Sequence, residues 1–288
     1  MEAYLEGNKL IKEKKWSGFI DSLRAEKAKE VSLEELKSVF IDAVKKRIPK
    51  KKFGIFFSGG VDSSLIALVC KNLGADFTCY TVGFKTKNME VPDDVLWAEK
   101  VAHSLNINLA VELFNLKEAE EIIKKVAKIV EPNVINIGVG SVIYAVTKIA
   151  SEKIFFSGLG AEEIFAGYER HAKAEDVQEE CWKGLKTMWK RDLLRDTSLA
   201  KEFGIEIKTP FLDKELIKLA MQIPVEKKID KINQKIIIRE LAEDLGLAEE
   251  FAWRKKKAAQ YGSKFDRAIK KLAEKYKFKY KKEYLKSL

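Results

Sequence analysis

The stretch that most constrains this chain runs from residue 53 to residue 70, FGIFFSGGVDSSLIALVC. An apolar pentad, Phe53-Gly54-Ile55-Phe56-Phe57, passes straight into serines, glycines and an aspartate, and then into a second apolar run. That order predicts a buried strand, a tight loop and a helix, the arrangement with which an α/β fold turns backbone N–H groups toward an anion. Gly59 and Gly60 let the backbone come close to a phosphate, the helix N-terminus adds partial positive charge, and the hydroxyls of Ser58, Ser63 and Ser64 can donate hydrogen bonds. The Gly-Lys-Ser/Thr ending of a Walker loop is missing. A loop without a lysine for a γ-phosphate but with Asp62 suits a pyrophosphate held with Mg²⁺. A purely structural glycine turn would use the same letters, so the rest of the chain has to decide.

Ser32 to Pro49 carries a capping box and a helical apolar stripe, which puts a helix before the first strand. Strands are expected over Asp76–Phe84, Leu109–Phe114 and Lys153–Phe156, and helices over Asp93–Leu105, Lys117–Val130 and Val139–Ala150. This alternation predicts an α/β fold built on a doubly wound parallel sheet. Beyond residue 171 strand signals disappear, and Glu175–Leu194, Asp213–Gln222, Gln234–Leu245 and Lys264–Tyr276 all have helical patterning. The expected organisation is an N-terminal segment and helix over 1–50, an α/β core over 51–171 and a helical part over 172–288.

With 288 residues, 46% of them apolar, the chain can bury a substantial core. No run approaches the roughly 18 to 20 apolar residues of a membrane span, and the first residues suggest no signal or transit peptide, so a cytoplasmic location is expected. Cys70, Cys79 and Cys181 form no CxxC pair and read as buried thiols; with two histidines in the chain a zinc site is poorly supplied. The abundance of Lys and Glu, with only four glutamines, leans toward a thermophilic source. The net charge is +10, and residues 264–288 hold ten Lys/Arg against three Asp/Glu. An RNA partner is one explanation of that basic end. A solvated amphipathic helix with a loose tail is the other, and the spacing of Phe265, Ile269, Leu272 and Tyr276 favours it.

The 58–64 loop resembles the SGGxDSS pyrophosphate loop of the adenine nucleotide α-hydrolase-like ATP pyrophosphatases. The resemblance implies that the loop binds the pyrophosphate of ATP, that Asp62 helps hold Mg²⁺, and that adenine meets backbone groups of the first two strand ends, Phe57 and Val82. Three further stretches resemble the synthetase domain of asparagine synthetase and, more closely, asparagine synthetase domain-containing proteins. They are SGLGAEEIFAGY (157–168), RDLLRDTSLAKEFGIEIKTPFLD (191–213) and RKKKAAQYGS (254–263). Gly158 and Gly160 follow a predicted strand, so the second turn can lie beside the first at the carboxyl edge of the sheet, where open α/β folds bind ligands. Glu162 would then face Asp62, and two carboxylates with phosphate oxygens suit Mg²⁺. The family usually has aspartate at Glu162, and a glutamate favoured by the helix dipole would also explain it. Asp213 reads as a helix N-cap; Arg195, Asp196 and Glu206 organise the site floor or form solvated ion pairs.

Within the 254–263 loop the resemblance implies a lysine against the α-phosphate, where charge develops during adenylation. Counting back from Gly262-Ser263 selects Lys256 from three consecutive lysines; a basic loop without a catalytic role is the alternative. The implied activity is an AMP-forming ligase that adenylates a carboxylate, aspartate by default, and passes it to ammonia or an amine. Two departures bear on the acceptor. Fewer than 60 residues precede the loop and no cysteine precedes Cys70, so the glutaminase half of asparagine synthetase is expected to be absent and ammonia to come from a separate subunit. The variable position of SGxG, often a glutamate thought to help deprotonate ammonia, is Leu159, which cannot accept a proton, and Pro132–Ser141 lacks the charged, hydroxyl-rich pattern expected around aspartate. Two other readings stand beside this one: a tRNA-modifying ATP pyrophosphatase, and a non-catalytic ATP-binding relative.

Overall fold

Five parallel strands in the order β5-β4-β3-β6-β7 form the centre of the computed structural model, which describes residues 2–24, 30–255 and 258–288. A short hairpin, β1 (Leu5–Glu6) and β2 (Lys9–Leu10), opens the chain, followed by α1 (Glu13–Ser22) and α2 (Leu33–Lys45). The side chain of Ser32 caps α2 by accepting from the Glu35 N–H at 3.1 Å, as its capping box predicts. Then come β3 (Phe53–Phe56), α3 (Val61–Asn72), β4 (Phe77–Phe84), α4 (Asp93–Leu105), β5 (Leu109–Phe114), α5 (Leu116–Ala127), α6 (Val134–Ile149) and β6 (Ile154–Phe156). These agree with the pattern-based expectations except that α6 starts five residues early. The cause is Asn133, whose side chain accepts from the Asn136 N–H at 2.9 Å and caps the helix there.

The remaining helices are α7 (Ala161–Ile164), α8 (Glu169–Ala172), α9 (Val177–Met188), α10 (Leu194–Phe203), α11 (Lys214–Ala220), α12 (Ile236–Asp244), α13 (Glu249–Ala252), α14 (Ala259–Gly262), α15 (Phe265–Lys275) and α16 (Lys281–Lys286). Two expectations are corrected in this half. Strand signals do not end at residue 171: β7 (Glu206–Lys208) joins the sheet beside β6, with Phe155 opposite Ile207. Three residues give too short an alternation to stand out. The basic end is also no loose tail, because α16 buries Tyr284 and Leu285 against α15 and α6.

Alternate side chains of the strands feed two apolar layers. Phe53, Ile55, Phe77, Cys79 and Phe156 pack with α2, α3, α11 and α12, while Tyr80, Val82, Phe84 and Phe155 pack with α5, α6 and α15. Helices on both faces make this a doubly wound α/β fold, as expected. Chain order reverses between β3 and β6, so the carboxyl ends of those two strands flank the crevice where such sheets bind ligands. Cys70, Cys79 and Cys181 are buried free thiols.

Candidate active site

At the end of β3 the chain turns through Gly59, whose φ of +63° is left-handed and whose missing Cβ would lie 2.7 Å from the backbone of Trp97. Gly60 is the N-cap of α3. The Ser63 hydroxyl bonds the Gly60 carbonyl at 3.1 Å and accepts from the Ser58 N–H at 3.4 Å, so it braces the loop from inside. Ser64 is fully buried, its hydroxyl has no hydrogen-bond partner among the described residues, and it does not line the cavity. Of the three hydroxyls read as phosphate donors, Ser58 and Ser63 line the cavity and Ser64, one residue further into α3, does not.

A cavity of about 390 Å³ lies over these strand ends. Phe57, Ser58, Asp62, Ser63, Val82, Gly158 and Glu162, all singled out from the sequence, line it together. Gly158 sits so close that a Cβ there would meet that of Asp62 at 3.0 Å.

The centre of the site is a residue the sequence analysis missed. Lys235, the left-handed N-cap of α12, is only 4% exposed and donates to both oxygens of Asp62 at 2.9 and 2.7 Å. The same ammonium lies 2.8 Å from Glu162 Oε1. Burial would lower the lysine's pKa, but the two carboxylates outweigh it and hold it above its usual value, so the group is charged. Asp62 and Glu162 are thus brought onto one cation. Gly167 makes this possible, since a Cβ there would fall 1.9 Å from Glu162 Oε2 and 2.2 Å from Lys235 Cε.

Arg239 and Arg254 frame the same side. Arg254 donates to the Ser58 carbonyl at 3.1 Å and lies over the Trp97 ring at 5.1 Å. Arg239 bonds the Ala252 and Arg254 carbonyls, with distances of 2.5 and 3.2 Å. The start of the 254–263 loop is therefore tied to the phosphate-type loop, and its far end returns to the sheet where the Phe84 N–H donates to the Ser263 carbonyl at 2.8 Å. Lys256 itself lies outside the described residues.

The opposite wall is ionic. The expected helix ending at Leu194 instead widens into a π-helical turn, Trp189–Leu193, of a kind often found at functional sites. It carries Arg191 and Asp192 into the cavity wall, where Arg195 and Asp196 join them. Arg191 Nη2 donates to Glu163, Arg195 Nη1 to Asp192 at 3.2 Å and Arg195 Nε to Asp196 at 2.6 Å. Burial pushes Glu163 up to about 7 against the pull of Arg191. Arg195 and Asp196, read as floor residues or solvated pairs, are buried floor residues; Glu206 is exposed and pairs with Lys208 away from the cavity wall. Arg170 also lines the cavity, with Nη2 buried and without a hydrogen-bond partner among the described residues. Asp213 is the N-cap of α11, accepting from the Glu215 N–H at 3.1 Å, and is structural as expected.

A parallel sheet with two glycine turns and a carboxylate pair on one buried lysine at its switch point defines a nucleotide-site architecture, and the comparisons with known proteins add the family. The asparagine synthase family model matches residues 35–178 and 171–284, and the chain belongs to that family. A Methanocaldococcus jannaschii protein named as a putative glutamine-hydrolyzing asparagine synthetase is 35% identical, over 88% of this chain and 54% of its own length. The Gallus gallus glutamine-hydrolyzing asparagine synthetase is 32% identical over 80% of this chain and 44% of its own. The chain thus spans about half the length of these curated relatives. Among solved structures, the NH3-dependent NAD synthetase of Campylobacter jejuni is similar over 86% of each chain, with 13% identity and a TM-score of 0.40, too distant to bear on function. No described helix is long and apolar enough to cross a membrane.

Proposed function

We propose that this protein is an ATP-dependent, AMP-forming ligase that adenylates a carboxylate and transfers the acyl group to ammonia or an amine. The observation that carries the reading is the convergence of Asp62 and Glu162 on one buried cation beneath a glycine turn at the carboxyl edge of the sheet. Membership in the asparagine synthase family supports it. ATP lies with its phosphates on the 58–64 loop and adenine between Phe57 and Val82. Mg²⁺ usually takes one or two protein carboxylates and fills its shell with phosphate oxygens and water, and Asp62 and Glu162, which both line the cavity, fit that demand. Asp62 and Glu162 would hold that ion, and it would neutralise charge on the departing pyrophosphate.

A carboxylate oxygen of the co-substrate attacks the α-phosphorus, the bond to the α,β-bridging oxygen breaks, and pyrophosphate leaves. Lys256 stabilises the charge that develops on the α-phosphate. The amine then attacks the acyl carbon, AMP leaves, and the nitrogen sheds a proton. Leu159 and the apolar start of α6 supply no base for that proton, so it passes to solvent or to a group on the co-substrate. Arg170 and Arg191 supply cationic donors for the acid. Ammonia comes from a separate glutaminase or from free solution.

ATP–pyrophosphate exchange across a panel of carboxylates, starting with aspartate, tests the reading without knowledge of the acceptor. AMP and pyrophosphate are the expected products, and formation of ADP and phosphate would overturn it.

A further inference from the structure

A second cavity, of about 680 Å³, opens beside the first and shares Ile135 and Arg191 with it. Its walls come from the start of α6, the end of α9 with the π-helical turn, and α16. Lys190, Lys282 and Lys286 line it, and none of these ammonium groups has an ion pair or a hydrogen bond in the described structure. All three lysines are solvent-exposed, and what distinguishes them is that they converge on one cavity. Against the three ammonium groups and Arg191 stand only two carboxylates, Glu13 and Glu131, which leaves the cavity net positive.

The boundary between the cavities is equally specific. Arg191 Nε is engaged by Asp192 and Nη2 by Glu163 and Tyr168, while no hydrogen bond engages Nη1 among the described residues. Ile135, half exposed although large and apolar, is the other residue that lines both cavities. An apolar side chain and a free guanidinium nitrogen thus stand between the first cavity and a cluster of unpaired cations. That sequence of surfaces matches an acid with a carboxylate at one end, a methylene stretch in the middle and a second anionic group at the far end.

We infer that the second cavity is an anion subsite for the far end of the co-substrate, and that the acid activated by this protein is an extended dicarboxylate longer than aspartate. The inference rests on the ligase reading and deepens it. It also accounts for the basic C-terminal helix, since α16, packed by Tyr284 and Leu285, presents Lys282 and Lys286 to the cavity.

The test uses the full chain and two readouts. Calorimetry measures binding of glutarate and adipate against pentanoate and hexanoate, which keep the chain length and lose one charge, and the same acids enter the ATP–pyrophosphate exchange assay. The variants are Lys190→Glu and the double change Lys282→Glu with Lys286→Glu; Lys282→Gln with Lys286→Gln serves where charge reversal disturbs folding. One dicarboxylate is expected to bind about tenfold tighter than its monocarboxylate partner, an advantage lost in the variants while ATP affinity stays the same. Equal binding of mono- and dicarboxylates, or an advantage that survives the substitutions, would overturn the subsite. Lysine-dependent dicarboxylate binding without any exchange would overturn the ligase reading and leave the subsite standing. Exchange supported by acids whose binding ignores the three lysines would do the reverse.

Discussion

The two sides of the cavity over the strand ends are built on different terms. The glycine-turn side, 58–64 with 157–168, is made of backbone, small residues and one buried cation between two carboxylates. The opposite side is made of long charged side chains, Arg170, Arg191 and Arg195 with Asp192 and Asp196, carried on a π-helical turn. A wall of backbone and glycine has no freedom to change without losing its shape. A wall of long side chains can exchange ligands while the helices behind it stay where they are. In a single fold, the chemistry common to a family can therefore sit on the first side and the choice of substrate on the second.

That contrast is easiest to break at Gly167. A methyl group there falls within 2.2 Å of both Glu162 and Lys235, so Gly167→Ala must displace the Glu162 carboxylate and the Lys235 chain that join there. Pyrophosphate exchange is expected to fall by about 10³-fold or more, as for loss of a preorganised charge site. Asp62→Asn is expected to abolish pyrophosphate release at every ATP concentration, and Glu162→Gln to behave alike. A Glu162→Gln enzyme with undiminished exchange would remove that residue from the proposed metal pair. Lys256→Ala comes next: ATP remains bound and turnover falls about 10²-fold, because the charge acts mainly in the transition state. Weakened ATP binding with unchanged turnover would move Lys256 out of the catalytic role.

Lys235 gives a thermodynamic version of the same comparison. Removing its charge leaves the buried Asp62 carboxylate unpaired beside the partly exposed Glu162, at a cost of about 2–3 kcal/mol. Lys235→Met is therefore expected to be destabilised in chelator and to regain much of its melting temperature in Mg²⁺, whereas the unaltered protein responds less. Equal melting of the variant with and without Mg²⁺ would show that the pair does not take the ion.

The glycine-turn side was legible because its determinants are local: a strand, two glycines and an aspartate within a dozen residues, and a second glycine turn after another apolar run. Lys235 was not, since it meets Asp62 across 173 residues of chain and sits in an unremarkable stretch, INQKIII. Its only local oddity, a left-handed φ of +59°, is invisible in the letters. Strand β7 was hidden by its length, and the π-helical turn by a helical pattern that continues through it. The packing of α16 depends on Tyr284 and Leu285 finding α15 and α6, a tertiary event inside a run of lysines that reads as solvated tail.

The smallest expected effect separates the site's charges from charges that only hold the fold. Glu120 on α5 accepts from Lys124 at 2.6 Å, from Lys275 at 2.8 Å and from the Tyr276 hydroxyl at 2.5 Å, which ties α5 to α15 away from the cavity. Burial alone would raise its pKa, but these donors overcome it and hold the carboxyl at about 2, below its ordinary 4.5. The unfolded chain takes up this proton near pH 4.5 and the folded chain only near 2. Stability from the group is therefore complete above pH 4.5 and lost as the pH falls from 4.5 toward 2. Glu120→Gln keeps the shape and removes the charge, so it should cost about 1–2 kcal/mol at pH 7, flatten the acid limb of the stability curve, and leave pyrophosphate exchange unaltered. Urea unfolding at pH 7, 4 and 3 measures both expectations. A variant whose acid limb matches the unaltered protein would mean that the lysines and Tyr276 do not hold this carboxylate, while a loss of exchange would mean that the α5–α15 anchor reaches the site after all.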